Sequence, residues 1–350
     1  MNKGLYIHIP FCRRKCLYCD FYSVVPDDGA AQRYREAVVR NIRHYGGSFD
    51  TVYFGGGTPI LLADELGEML RAADISEDAE ITAECNPCEM DMRTLSTLRE
   101  AGINRISVGV QSFRDAELSA LGRRHDAETA VRAIENAAAA GFRDISLDLM
   151  LGIPQQTAQS LDETLQIAAG LPVTHISAYM LKIEESTPFG RNTPLLPDED
   201  ETADMYLQTV QRLSQSGLSQ YEISNFARDG CSCRHNLKYW RREEYLGIGP
   251  AAHSFIDGRR YAVARDLNGF LSSAVQAELV TDGCPDEYEE RVMLGLRLSE
   301  GIPEELWKPL ESGLQRVPKN YYRIEDGSLS LTAEGFLLSN EIISLLLSQR

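Results

Sequence analysis

Six short apolar runs recur along the first half of the chain, and each is followed by a longer stretch of helical periodicity. They read LYIHI at 5–9, TVYFG at 51–55, EITAE at 80–84, RISVGV at 105–110, DISLDLM at 144–150 and HISAYML at 175–181. Most lack a clean alternation of apolar and polar residues, as expected for parallel strands covered on both faces. Between them lie amphipathic segments such as AAQRYREAVVRNIRHYG at 30–46 and AETAVRAIENAAAAG at 127–141, the second closing on Gly141 as a helix stop. Six βα units over about 180 residues fit a parallel barrel, closed or partly open, and also a doubly wound sheet.

The placement of polar and glycine residues favours the barrel. Gly55, Gly56, Gly57 and Thr58 follow the second run, Glu84 ends the third, Gln111 ends the fourth and Asp148 lies late in the fifth. In a βα barrel the C-terminal ends of several strands contribute to one reactive face. The pattern changes after about residue 190. NTPLLPDED at 192–200 reads as a connector and EDETADMYLQTVQRLSQSGL at 199–218 as a helix. The expected organisation is a barrel core over 1–190, a barrel-completing segment over 191–281, and a small, mainly helical C-terminal domain over 282–350. A short hairpin in YRIEDGSLSLT would suit a winged-helix shape there. The terminal stretch LTAEGFLLSNEIISLLL is apolar and acidic, which does not suit a DNA-reading helix.

Charge and composition narrow the function classes. The chain has 350 residues, 52 acidic against 35 basic, for a formal charge of −17, so the basic face of a nucleic-acid binder is not expected. No apolar run approaches the ~18 residues of a membrane span, and MNKGLYIHIPF does not read as a signal peptide. A cytoplasmic protein, not integral to a membrane, is the expectation. Eight cysteines in that compartment point to metal or redox chemistry more than to disulfides.

Three of them, Cys12, Cys16 and Cys19, fall in YIHIPFCRRKCLYCDFYS at 6–23 with C-x3-C-x2-C spacing. A four-iron cubane ordinarily takes four thiolates, so three leave one iron open for another ligand. A catalytic zinc site keeps one position free by the same logic. Arg13, Arg14 and Lys15 lie within the loop and would offset the negative charge of a thiolate-bound cluster. A structural Cys3His zinc recruiting His8 and a set of unligated core cysteines are the alternatives that spacing leaves open.

The loop followed by GGGTP resembles the radical S-adenosylmethionine (SAM) superfamily, whose open cluster iron binds the amino and carboxylate groups of SAM. The resemblance implies a partial (β/α)6 radical SAM barrel, an α/β fold. YIHIPFC, GGGTP, SVGVQSF, LGRRH, LDLMLGIPQQT and HNLKYW, which together span nearly the whole chain, resemble the oxygen-independent coproporphyrinogen oxidase-like family. Carried over residue by residue, its SAM contacts fall on Tyr6, Gly56, Gly57, Thr58, Glu84, Gln111, Arg123 and Asp148. Each suits the role. Glycines admit close backbone approach, the carboxylates accept from an amino group or ribose hydroxyls, and Arg123 can clamp a carboxylate.

Two features depart from the oxidase pattern. Phe21 stands where the decarboxylase has a further cysteine, and only five residues precede Tyr6. With HNLKYW at 235–240, these resemble the HemW-type heme chaperones, so the resemblance implies heme as a third cofactor and heme-accepting apoproteins and an electron donor as partners. His235 is the candidate heme contact, since imidazole is a common axial ligand, and Tyr239 and Trp240 could stack on a porphyrin. A packing role for HNLKYW weighs equally. Cys231 and Cys233, in GCSCRHN, are competing ligands. Three further signals carry less. GIGPAA at 247–252 matches a dinucleotide fingerprint, yet no strand of good quality is read before it. CNPC at 85–88 is a weak redox motif, and ELWKPL at 305–310 reads as a packing helix.

Overall fold

The computed structural model describes residues 3–282 and 286–348. The six expected strands form and pair in chain order: β1 (Lys3–Ile9), β2 (Ser48–Gly56), β3 (Asp74–Cys85), β4 (Arg105–Gln111), β5 (Asp144–Leu151) and β6 (His175–Met180). All five pairings are parallel. The crossovers carry α1 (Ala30–Tyr45), α2 (Ala63–Arg71), α3 (Met92–Ala101), α4 (Asp115–Ala120), α5 (Ala127–Ala139) and α6 (Ala158–Gly170). In α1 the buried residues Tyr34, Ala37, Val38, Asn41 and Ile42 fall on one stripe of the 3.6-residue period. Helix starts follow capping chemistry: Asp91 accepts from Thr94 N, Asp126 from Thr129 N, and Thr157 and Ser160 form a reciprocal capping box.

The strands do alternate, but the polar set faces inward. Along β4, Arg105, Ser107, Gly109 and Gln111 line the barrel interior, while Ile106, Val108 and Val110 are buried in the apolar core. Buried polar groups of this kind survive because each finds a hydrogen-bond partner or a cavity.

Six further strands extend the sheet at both ends. After α7 (Pro188–Arg191) and α8 (Glu199–Gln215), β7 (Ser219–Glu222) and β8 (Asn225–Ala227) follow, with β8 antiparallel to β6. After α9 (Arg234–Trp240), β9 (Tyr245–Ile248) runs parallel to β1, and β10 (His253–Ile256), β11 (Arg259–Val263) and β12 (Glu278–Asp282) complete that edge. The resulting twelve-stranded sheet has two free ends, β12 and β7. A strand therefore does precede GIGPAA, contrary to the sequence reading. It turns back into antiparallel β10 instead of opening a helix, so the dinucleotide geometry is still missing.

The described residues from 286 onward are mostly helical around a three-stranded antiparallel sheet whose hairpin pairs Tyr322–Glu325 with Ser328–Leu331. The terminal segment forms two helices, Ala333–Leu337 and Ser339–Leu347, in place of one. No helix among the described residues is long and apolar enough to cross a membrane.

Candidate functional site

β1 delivers the cysteine loop to the C-terminal end of the barrel. Two backbone hydrogen bonds close the loop at its base, Cys12 N to Val24 O at 3.0 Å and Val24 N to Pro10 O at 2.8 Å. Leu17 N donates to Leu121 O after α4, and Phe189 N of α7 donates to Leu17 O. Cys12, Cys16 and Cys19 are free thiols on the wall of a chamber of about 320 Å³. Burial raises the Cys12 thiol and pushes Cys19 up to about 11. Thr58 Oγ1 lies 3.3 Å from Cys12 Sγ, and Arg123 Nη1 donates to Cys16 Sγ at 3.5 Å.

The three loop cysteines line one chamber, as a cluster with a thiolate on each of three irons requires. Among the described residues no three His, Cys, Asp or Glu side chains converge on one metal position. In a cubane each thiolate takes a different iron, so the thiols belong around a shared volume, not a shared point. His8, the fourth ligand of the zinc alternative, is committed elsewhere: Nδ1 bonds Tyr6 OH at 3.1 Å and Nε2 bonds Tyr22 O at 2.9 Å.

Seven of the eight residues carried over as SAM contacts line this chamber: Gly56, Gly57, Thr58, Glu84, Gln111, Arg123 and Asp148. The glycine loop leaves little freedom. A Cβ on Gly57 would sit 2.6 Å from Phe11 O and 2.8 Å from Ile9 O, and Gly56 has φ +104° against the His8 ring. Glu84 accepts from Gly56 N at 3.0 Å and Tyr53 OH at 3.1 Å. Burial, then the nearby Asp148, push its carboxyl up to about 7. Asp148 accepts from Ser107 Oγ at 3.0 Å and is raised mainly by burial. Gln111 adopts φ +72°, a left-handed conformation uncommon outside glycine and asparagine. Tyr6, the eighth, lines a neighbouring chamber instead.

That side chamber, of about 570 Å³, lies against α9 and is walled by Tyr6, Tyr53, Tyr179, Tyr239 and Trp240. Tyr53, Glu84, Tyr179 and Asn236 face both chambers and form the partition between them.

Comparison with known proteins places the chain. The radical SAM superfamily signature matches residues 6–168. The heme chaperone HemW of Synechocystis is 39% identical over 339 residues, covering 89% of this chain and 81% of its own. The heme chaperone HemW of Bacillus subtilis is 33% identical and covers 99% of this chain and 100% of its own. The chain belongs to the HemW-like heme chaperone family of the radical SAM superfamily. Among solved structures, coproporphyrinogen III oxidase HemN from Escherichia coli superposes with a TM-score of 0.80 at 22% identity, covering 99% of this chain and 90% of that one, a likeness of fold.

His235, the residue singled out in HNLKYW, has both ring nitrogens engaged within the protein. The ring is fully buried, Nδ1 bonds Thr51 Oγ1 at 2.8 Å and Nε2 bonds Tyr239 OH at 2.8 Å. Burial pushes the imidazole down to about 3, and Lys238 and Arg105 act the same way. HNLKYW is here a plug at the base of the barrel. Its first turn is capped from β3, where Glu80 accepts from Arg234 N at 2.8 Å and His235 N at 2.9 Å. Cys233 is buried and its thiol donates to Glu80 as well.

Sequence reasoning missed Asn86. Its Nδ2 donates to Thr58 Oγ1 at 2.9 Å and its Oδ1 accepts from Arg123 Nη2 at 2.9 Å, tying the glycine loop to the arginine. It sits between the cysteines of CNPC, a motif read for its thiols. Cys85 is buried and Cys88 exposed, and both are free.

Proposed function

We propose that this protein is a cytoplasmic heme chaperone that binds heme, carries a [4Fe–4S] cluster on Cys12, Cys16 and Cys19 with SAM at its open iron, and passes heme to apoproteins. Tyr6, Gly56, Gly57, Thr58, Glu84, Gln111, Arg123 and Asp148 are the SAM contacts of this reading. The observation that carries it is likeness at 33–39% identity, across most of both chains, to proteins named heme chaperones. The chamber supports it, because three free thiols, a glycine loop held by Glu84 and the half-buried Arg123 share one volume. When bound and reduced, such a cluster supplies the electron that cleaves SAM. Within the chamber Arg123 would meet the SAM carboxylate, and Glu84 and Asp148 its amino group or ribose hydroxyls.

A second reading, oxygen-independent oxidation of coproporphyrinogen propionates to vinyls, draws on the fold shared with HemN. Phe21, in place of a cysteine in the loop, weighs against it. A radical SAM enzyme acting on heme itself is a further variant of the enzymatic reading. Anaerobic reconstitution with iron and sulfide, hemin titration by absorbance, and a parallel coproporphyrinogen assay separate them. The expected result is a cluster that is lost when all three loop cysteines become alanine, hemin binding, and no vinyl porphyrin. Vinyl product without hemin binding would overturn the proposal.

A further inference from the structure

The two chambers differ in charge. The side chamber contains Glu84 and Glu222 but no Lys or Arg among its lining residues. Burial pushes Glu222, which is fully enclosed, up to about 7. A ligand bearing carboxylates would meet only acids and neutral groups there, with no cation to replace the water it gives up. The main chamber also holds acids, Glu84 and Asp148, but it has cations at its exposed edge. Arg14 and Lys15 line it, both are exposed, and neither is paired with a carboxylate among the described residues. Their neighbour Arg13 is paired with Glu89 at 3.7 Å and does not line the chamber. On a chain of net charge −17, two free cations at one opening make a local positive field.

The same rim presents apolar surface to solvent. Phe21 is 62% exposed and Tyr179 is 43% exposed, and both line the chamber, Phe21 on the cysteine loop and Tyr179 at the end of β6. Met150, buried at the end of β5, lies on the same wall. An exposed aromatic beside unpaired cations at a chamber mouth matches a flat apolar ligand with acidic arms.

Resting on the chaperone reading above, we infer that heme sits at this mouth, its plate against Phe21 and Tyr179 and its propionates on Arg14 and Lys15, and not on the HNLKYW helix. His235 has no free nitrogen for it, and the chamber beside that helix has no cation for the propionates. Arg14 and Lys15 bind ligand in this assignment, while Arg13 stays outside it.

The test uses the reconstituted protein with iron and sulfide content matched between variants, titrated with hemin and with heme dimethyl ester, which keeps the plate and lacks the acids. The native protein is expected to bind hemin about tenfold more tightly than the diester, the order set by two partly exposed charge contacts. In Arg14→Gln/Lys15→Gln that preference disappears while diester affinity holds. Phe21→Ser weakens both ligands, and Arg13→Gln changes neither. Lys15→Gln alone, expected to lose part of the preference, serves where the double variant loads iron poorly. Retention of the native hemin preference in the double variant would overturn the location and leave the chaperone reading standing. Absence of hemin binding by the native protein would overturn both.

Discussion

His235, the heme candidate of the sequence, has both ring nitrogens engaged within the protein. Its ring stacks on Tyr53 at 5.3 Å and bonds Thr51 and Tyr239, so His235→Ala opens a cavity and leaves two buried hydroxyls unpaired. The expected loss is about 2–4 kcal/mol in urea denaturation, with hemin affinity unchanged in the folded fraction. The opposite pattern, weak heme and full stability, would restore it as a ligand. Glu84 makes a pH-dependent prediction. With its carboxyl near 7, it is mainly neutral at pH 6 and ionised at pH 8. Because the ionised form is the stronger acceptor for the N–H of the SAM amino group or for its ribose hydroxyls, SAM affinity by calorimetry should rise through pH 7, and Glu84→Gln should flatten the profile and lose about tenfold at pH 8. For stability the sign is reversed. The folded chain keeps a proton that an unfolded carboxyl near ~4.3 has lost, so this contribution is fully present below that value and fades as pH rises to about 7. The loop cysteines were legible because their spacing is itself the chemistry. Asn86 was not, because an asparagine between two cysteines gives no sign that it bridges a glycine loop and an arginine 37 residues away.

The six parallel strands were legible in place, but not in facing, and the six that extend their sheet were not read. A polar residue in a short run reads as an interruption until the face it lies on proves to line a chamber. Arg105 and Ser107 then become wall residues of a chamber. The plug helix was equally hidden, since its cap comes from Glu80 on β3, 154 residues before Arg234, and has no local signature. Glu80→Ala should strip the acceptor from two backbone amides and the Cys233 thiol, costing about 2–4 kcal/mol and raising amide exchange first over 234–240. The glycine loop allows a sharper test. Gly57→Ala pushes a methyl group against the backbone carbonyls of Ile9 and Phe11. Something in the loop must shift, so loading of the three cysteines with iron should fall several-fold, while far-UV circular dichroism stays native. A fully loaded variant would show that the loop has room that the geometry denies.

The whole chain carries −17, and most of that charge is solvated. Self-repulsion at this level destabilises the compact state and is screened by salt. Raising ionic strength from about 10 to about 150 mM should therefore raise the melting temperature by a few degrees. At the same time it should weaken hemin binding, because the propionate contacts are screened too. Composition made the charge legible; the placement of free cations at one opening was not, since Arg13, Arg14 and Lys15 are adjacent in sequence and differ only in what each side chain reaches. The partition between the chambers has a consequence of its own. Tyr53, Glu84, Tyr179 and Asn236 are held in common, so the two chambers share a wall. A ligand that touches those four residues from one side therefore bears on the wall of the other, and through Glu84 on the acid the two spaces share.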